Sequence, residues 1–325
     1  MNKYLKNFLK ITLSLALGIF IFWWAYRGMD FKEILSILKR NIRYEYILIG
    51  MLIGILANVF RAVRWKMLID ALDEQKPTLT NTFFSVLVGY FVNFLIPRAG
   101  EVVRCGIISQ YHKIPVTKTV GTMISERAID AISIVIILLV AFLLQIGLFK
   151  SFVSEHIVFS PSNFLFWIAG ILLVVLLLFW ILKKRIGNNI LYRKVVIMLK
   201  DIVVGIKTSL RLKHKYWFLF HSAAIWICYF LMLYIPIFAF DFTEHLSVFA
   251  IVFVFAMSNL STFVPVQGGI GAWHTMVILS LALFGIGEVE AGTFALVVHG
   301  SQLLFYMVSG LISLVGLQVV NKEKV

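Results

Sequence analysis

The sequence predicts an all-α polytopic membrane protein, with about six full transmembrane helices and two re-entrant helical hairpins of opposite orientation that form an inverted repeat. Three observations predict this class. Of the 325 residues, 61% are hydrophobic and 14% are charged, whereas soluble domains have about 45–50% and about 25%. Apolar runs of about 20 residues, long enough to cross a hydrocarbon core, recur along the chain. Two shorter apolar runs are each interrupted by proline and glycine.

The apolar runs divide into full spans and one interfacial segment. The first run follows lysines and ends at Trp23 and Trp24 without the small residues of a cleavage site, so it predicts an uncleaved span. Residues 27–45 alternate basic and apolar side chains at helical spacing, which is typical of a short helix lying in the membrane interface. The predicted full spans are 8–26, 46–63, 128–148, 164–182, 216–240 and 293–319.

Charge sets the expected topology. The chain carries a formal net charge of +14, and lysine and arginine concentrate on the cytoplasmic side of membrane proteins. The most basic stretch, 183–215, therefore predicts a cytoplasmic loop, while 149–163 and 241–245 are expected outside. The alternation of the predicted spans also places residues 27–45 outside, despite their five basic side chains. We expect one integral membrane domain over 1–325 in the bacterial inner membrane, with both termini in the cytoplasm.

Two segments are too short for simple spans. Phe83–Ile96 is followed by Pro97 and Gly100, and Phe249–Val264 is followed by Pro265 and a glycine-rich string. Proline breaks a helix, and broken backbone is tolerated at membrane depth only inside protein or beside a water-filled cavity. Two broken segments in corresponding positions are typical of inverted-repeat transporters and indicate the substrate site.

The first break and the helix after it carry an unusual set of polar residues. A charge at the bilayer centre costs about 2.5–3.5 kcal/mol on insertion scales, so such groups normally pair or face water. Helical spacing allows a pair between Glu101 and Arg104 and another between Arg127 and Asp130. The candidate substrate-binding residues here are Asn93, Arg98, Glu101, Arg104, Glu126, Arg127 and Asp130.

The expected chemistry of the first break is the binding of an anionic head group. A helix that starts at Pro97 inside the membrane would offer its free N–H groups, with Arg98, to a phosphate. Arg104 would assist, and the three carboxylates would orient the arginines or bind a cationic head, while Arg127 pairs with an acid. A structural ion-pair network that holds the hairpin is the alternative, and the two interpretations are compatible.

The second break repeats this arrangement, in which a helix starts inside the membrane. Its glycines allow close backbone approach, and the helix is expected to begin near Gly271 or Ala272. A tight turn is the alternative for this string alone. Its candidate substrate-binding residues are Gln267, Gly268, Gly269, Gly271 and His274. His274 and His299 could relay protons, although ordinary hydrogen-bonded histidines are favoured. Secondary candidates are Arg61 and Arg64, for which interfacial anchoring is the competing interpretation.

These motifs resemble a known family. Asn93 to Arg104, with PRAGE at its centre, and the ERxxD motif that contains Glu126, Arg127 and Asp130 are similar to the lysylphosphatidylglycerol synthase transmembrane-region family. The similarity covers nearly the whole chain. It implies a flippase fold with two re-entrant hairpins around a polar cavity and, in well-understood relatives, an aminoacylated phosphatidylglycerol as cargo. His274 stands where many members are expected to have Glu.

The leading functional hypothesis is a lipid flippase that works without ATP, and no cofactor or metal is expected. The sequence lacks common enzyme signatures and the soluble synthase domain of two-domain relatives, so we expect no enzyme. A membrane-embedded transferase or accessory subunit with Glu101 or Asp130 as its base is the alternative; a transporter of small soluble anions is the third. The expected partner is a membrane lipid, and a lipid-synthesising enzyme and further copies of this chain are open as partners. Nucleic acid is not expected, because basic stretches lack a base-stacking platform.

Overall fold

The computed structural model describes residues 3–40, 42–72, 74–147 and 211–322, and these ranges contain helices and no β-strand. The helices of the first part are α1 (Lys3–Tyr26), α2 (Phe31–Leu38), α3 (Tyr44–Asp70), α4 (Leu79–Leu95), α5 (Ala99–His112) and α6 (Val116–Leu144). Those of the second part are α7 (Lys215–Tyr234), α8 (Val248–Leu260), α9 (Ala272–Ala282) and α10 (Glu288–Val320). Short 3₁₀ turns follow α7 and α8 and precede α9.

Four described helices are long and apolar enough to cross a membrane: α3, α6, α7 with the turn that follows it, and α10. Helices α1 and α2 form a bent pair, with an angle of 84° between them, that would add a fifth span. The protein is therefore a multi-pass, all-α membrane protein. The predicted span 164–182 and nearly all of the predicted loop 183–215 lie outside the described residues.

The two short apolar helices α4 and α8 begin and end in the same way. Thr78 caps α4 by accepting a hydrogen bond from the Asn81 N–H at 3.2 Å, and Ser247 caps α8 through the Ala250 N–H at 3.2 Å. Such side-chain caps satisfy N–H groups that a helix start leaves free. Each helix then stops shortly before its proline, as the sequence predicts.

The described helices repeat one order, long–short–short–long, in α3–α6 and again in α7–α10. Their packing follows the same symmetry. Helix α4 packs on α10 of the other half, and α8 correspondingly packs on α6. The pairs α4–α5 and α8–α9, and the pairs α5–α6 and α9–α10, are likewise equivalent. The equivalent long helices α3 and α7 pack directly against each other.

Helices α3 and α7 run antiparallel. A Cβ on Gly50 would contact Pro236, one on Gly54 would contact Met232, and Arg61 bonds Tyr229 further along. Equivalent spans related by an axis along the membrane normal would run parallel, whereas an axis in the membrane plane makes them antiparallel. The packing of these two helices therefore matches inverted halves.

The loops at the two ends of the bundle group as the predicted alternation of spans requires. Arg43, before α3, pairs with Asp241 at 3.5 Å and Glu244 at 2.5 Å, so segments 27–45 and 241–245 share one end. The hydrogen bond to Glu244 raises the pKa of Arg43. At the other end, the beginning of α4 meets the end of α10 where Asn81 donates to Asn321 at 2.8 Å.

Helices α4 and α5 approach closely at two glycines. A Cβ on Gly100 would overlap the carbonyl oxygen of Gly89, and one on Gly89 would lie 3.0 Å from the carbonyl oxygen of Gly100. Small residues at helix interfaces allow this contact between backbones in membranes, where burial of apolar surface alone does not bring helices together.

We expect Gly100→Ala to destabilise the α4–α5 hairpin, because the added methyl group collides with rigid backbone. Overpacking of this kind costs roughly 1–3 kcal/mol. The matched control is Gly106→Ala on the same helix, where a Cβ meets nothing within 4 Å. Thermal unfolding of the purified protein in detergent, followed by tryptophan fluorescence, compares the two. Equal midpoints for both variants would contradict the close approach.

Candidate functional site

The two breaks meet. Nη2 of Arg98, at the first break, donates to the carbonyl oxygen of Phe263, at the second break, over 3.4 Å. Gly268 of the second break lies beside Phe94 and beside Leu303 of α10, since a Cβ there would contact both side chains. Helix α10 spans Glu288–Val320, so both breaks lie level with its middle.

The first break is a left-handed turn. Arg98 has φ 63° and precedes α5, which begins at Ala99, so Pro97 lies before the helix cap and not at the first helical position as predicted. The side chain of Asn93 accepts a hydrogen bond from the Gly100 N–H at 2.8 Å. This bond satisfies one of the N–H groups that the interruption frees, as buried backbone requires.

The second break depends on glycine at positive φ. Gly268, Gly269 and Gly271 have φ of 56°, 80° and 80°, a region that side chains with a Cβ rarely adopt. Helix α9 begins at Ala272, as predicted. Nδ1 of His274 accepts a hydrogen bond from the Gly271 N–H at 3.3 Å, so this histidine caps the helix.

A chamber of about 330 Å³ lies between the breaks. Its volume is within the range of small-molecule sites. Both breaks and the middle of α10 supply its walls. His299 also lines it, and the buried Nδ1 of this side chain has no hydrogen-bond partner among the described residues. The lining includes Asn93, Pro97, Arg98, Glu101, Arg127, Thr262, Pro265, Gly268, Gly269, Trp273, His299, Gln302 and Tyr306.

An apolar groove of about 610 Å³ lies between α1 and the two breaks. Its walls are mainly aliphatic, with Ile11, Leu13, Leu17 and Ile96 among them. Pro97, Arg98 and Pro265 line both this groove and the chamber. Hydroxyl Oγ of Ser14 on α1 donates to the carbonyl oxygen of Pro265 at 2.5 Å and so ties α1 to the second break.

Next to the chamber lies a fully buried ion network. Carboxylate Glu126 accepts from Arg61 at 2.5 Å, from Arg104 at 2.8 Å and from Arg64 at 3.2 Å. Asp130 accepts from Arg64 at 2.7 Å and from Arg61 at 3.1 Å. These side chains are at most 6% exposed, and they join α3, α5 and α6.

A second layer connects this network to the chamber. Half-buried Arg127 pairs with Glu101 at 2.7 Å and lies 3.8 Å from Asp130. The predicted pair between Arg127 and Asp130 therefore forms. The predicted pair between Glu101 and Arg104 does not form, because Glu101 pairs with Arg127 and Arg104 pairs with Glu126. The two layers together hold four guanidiniums and three carboxylates, a net charge of plus one.

Arg61 and Arg64 correct one interpretation from the sequence. Both are buried inside the network, so interfacial anchoring is wrong for them. The position at the end of an apolar run suggested snorkelling, but α3 continues to Asp70 and keeps both side chains within the bundle. Arg61 also reaches Tyr229 at 3.0 Å, which bonds Tyr90 at 2.9 Å.

Four of the remaining candidates lie together at the second break: Gln267, Gly268, Gly269 and His299. His299 stacks on Trp273 with 4.8 Å between ring centroids, and His274 meets His299 edge-on at the same distance. The amide of Gln267 donates to the Ile11 carbonyl oxygen on α1 at 3.4 Å. No sequence pattern marked Tyr90, Tyr306 or Thr262, because single aromatic or hydroxyl residues in apolar runs are common.

An all-helical membrane protein with two interrupted helix pairs around a charged centre is the class that this fold and site define. Residues 11–310 match the family described as lysylphosphatidylglycerol synthase TM region, and the chain belongs to that family. It is also 27% identical over 143 residues to the UPF0104 membrane protein PH1989 of Pyrococcus horikoshii. That match covers 43% of this chain and 41% of the relative. No solved structure matches the chain significantly.

We expect Glu126→Gln to be strongly destabilising, because it leaves three buried guanidiniums with one carboxylate among them. Breaking a buried pair costs about 3–5 kcal/mol. Glu74→Gln is the control, since Glu74 pairs with Lys118 at 2.5 Å near the surface, where pairs contribute about 0–1 kcal/mol. Thermal unfolding in detergent measures both. A shift for Glu126→Gln no larger than the control's would contradict the network.

Proposed function

We propose that the protein is a lipid translocase, a flippase that moves a phospholipid or lipid-linked head group across the bacterial inner membrane. The observation that carries the proposal is the polar chamber that adjoins an apolar groove, with Pro97, Arg98 and Pro265 shared by both. A lipid has one polar and one apolar part, and these two spaces fit them side by side.

The depth of the chamber supports this proposal. Helix α10 has 33 residues, or about 50 Å at 1.5 Å per residue, enough to cross the bilayer with its interfaces. Both breaks lie level with its middle, so a membrane around α10 puts the chamber near the bilayer centre. Helices α4–α5 and α8–α9 are then the two re-entrant hairpins, and they enter from opposite sides.

The charge favours an anionic head group. The ion network has a net charge of plus one, and Arg98 adds a second positive charge at the junction of chamber and groove. Arg98 is exposed, and its guanidinium donates to one carbonyl oxygen at 3.4 Å. Within the described ranges most of its donors are therefore free for a ligand. Arginine is suited to phosphate because its planar donors match the oxygens.

The competing transferase hypothesis requires a free carboxylate base. Glu101 is paired with Arg127, and Asp130 is paired with Arg61 and Arg64. These pairs occupy both carboxylates, which favours a structural role. The proposal extends to a cytoplasmic location for both termini, which agrees with the grouping of the loops at the two ends of the bundle.

The proposal is tested with the full chain in liposomes that contain a phospholipid labelled on its acyl chain. A membrane-impermeant reductant bleaches only the outer leaflet, so translocation increases the bleached fraction beyond that of empty vesicles. We expect acceleration with phosphate-bearing lipids. No acceleration with any of several head groups would refute the proposal, and new lipid species in the vesicles would favour the transferase.

We expect Arg98→Gln to slow translocation by about ten- to a hundredfold. A hydrogen bond to a charged group contributes about 1.5–3 kcal/mol, and 1.4 kcal/mol corresponds to tenfold. Glutamine retains a polar end group. Like arginine it has a Cβ, so the left-handed backbone at position 98 is equally unfavourable for both residues. Arg27→Gln removes an exposed arginine that lies over Trp23 and Trp24, and it should leave the rate unchanged. Equal rates for the two variants would argue against a role of Arg98 in binding.

A further inference from the structure

A smaller cavity of about 140 Å³ lies beside the chamber, toward α7 and α8. It shares Ser261, Thr262, Trp273, Gln302 and Tyr306 with the chamber, so the two spaces adjoin. We call it the side pocket. Beyond the shared residues, it is lined by Asn259 and Tyr229, among others.

The side pocket is uncharged but rich in hydrogen-bonding groups. Its lining side chains, all within the described ranges, include no Asp, Glu, Lys, Arg or His. The amide of Gln302 and the hydroxyl of Thr262 bond no described residue, and Asn259 uses only its Nδ2, which donates to the Phe255 carbonyl oxygen at 2.7 Å. These three side chains therefore offer both donors and acceptors to a ligand.

An aromatic wall completes the pocket. Trp273 lines both spaces and is held by stacking on His299 at an interplanar angle of 11°. His299 is 5% exposed and lines the chamber, and its Nδ1 bonds nothing in the part of the chain that the structure describes. An apolar ring surface beside neutral donors and acceptors suits a compact group whose C–H bonds pack on the ring and whose hydroxyls bond to the amides.

We infer that the side pocket is a subsite for an uncharged, hydroxyl-rich part of the head group, a glycerol or a sugar attached to the phosphate at Arg98. The inference rests on the proposed function and specifies its substrate class. An ammonium group finds no acidic partner among the lining residues of the pocket, and burying it unpaired is costly. A bare phosphate monoester leaves Gln302 and Thr262 unbonded.

The test compares lipids labelled on their hydrocarbon tails, in liposomes that contain this chain. Phosphatidylglycerol and a hexosyl polyprenyl phosphate carry a polyol, phosphatidic acid carries phosphate alone, and phosphatidylethanolamine carries an amine. We expect at least one polyol lipid to be moved about tenfold faster than phosphatidic acid and phosphatidylethanolamine, because sites built to bond hydroxyls reject analogues that lack them. The faster polyol arm distinguishes glycerol from sugar.

The variant Gln302→Leu removes the hydrogen bonds at nearly constant size. It should lower the ratio of the polyol-lipid rate to the phosphatidic acid rate about five- to tenfold, the effect of one or two lost hydrogen bonds. Gln318→Leu is the matched control, because Gln318 lies exposed near the end of the same helix. This control should keep the wild-type ratio.

The outcomes separate this inference from the proposed function. If the wild-type protein moves no lipid, the flippase proposal fails and the subsite falls with it. If it moves lipids with equal rates for polyol and bare phosphate, or prefers the amine, the flippase stands and the subsite is overturned. An unchanged ratio in Gln302→Leu also overturns the subsite.

Discussion

The sharing of Glu126 and Asp130 among buried arginines is the interaction on which the first half of the structure depends. Isolated charges cannot remain in a low-dielectric interior, so each guanidinium must find a carboxylate. Both carboxylates are on α6, and their partners come from α3 and α5. The network therefore fixes α5, which cannot span the membrane by itself, against two long helices. The position of the first break, and with it Arg98, follows from this attachment.

The second hairpin is held by different means. Its helices α8 and α9 contribute Ile251, Val254, Val277 and Leu281 to the large apolar core shared with α10. Its break is satisfied locally by the His274 cap and is tied to α1 through Ser14. Charge holds one side of the chamber and apolar packing holds the other, so the net positive charge around the chamber comes almost entirely from the first half.

Patterns that involve whole segments could be predicted from the sequence. The apolar spans, the two proline-terminated runs and the start of a helix near Gly271 follow from length, hydropathy and backbone chemistry. Within the described residues, which exclude the predicted span 164–182, the structure has helices or breaks at these places. The charged residues were also identifiable, because a charge in an apolar run requires a partner. Which partner it finds was not predictable: Glu101 bonds Arg127 across two helices, although Arg104 is nearer along its own helix.

Arg61 and Arg64, secondary candidates for which anchoring was the competing interpretation, show why the partner could not be predicted. Arg61 and Arg64 end an apolar run, and local sequence cannot distinguish an arginine that reaches for lipid head groups from one that reaches for Glu126, which is more than sixty positions away. A hydropathy profile shows that a charge in an apolar run is costly, but it does not show which distant residue of the fold offsets that cost. Tyr90, Thr262 and Tyr306 carry no such cost, so nothing marked them before the packing of α4, α8 and α10 brought them to one wall.

Under the proposed function, the shared border of the chamber and the groove favours a lipid over a small soluble anion as the ligand. An anion bound at Arg98 would lie against Pro97 and Pro265, which also line a space bordered by Ile11, Leu13 and Leu17. A transporter of soluble ions gains nothing from an apolar space of about 610 Å³ beside its site. Acyl chains would fill that space while the head group stays in the chamber. In that proposal, Arg98 would lie where the polar and apolar parts of the lipid join.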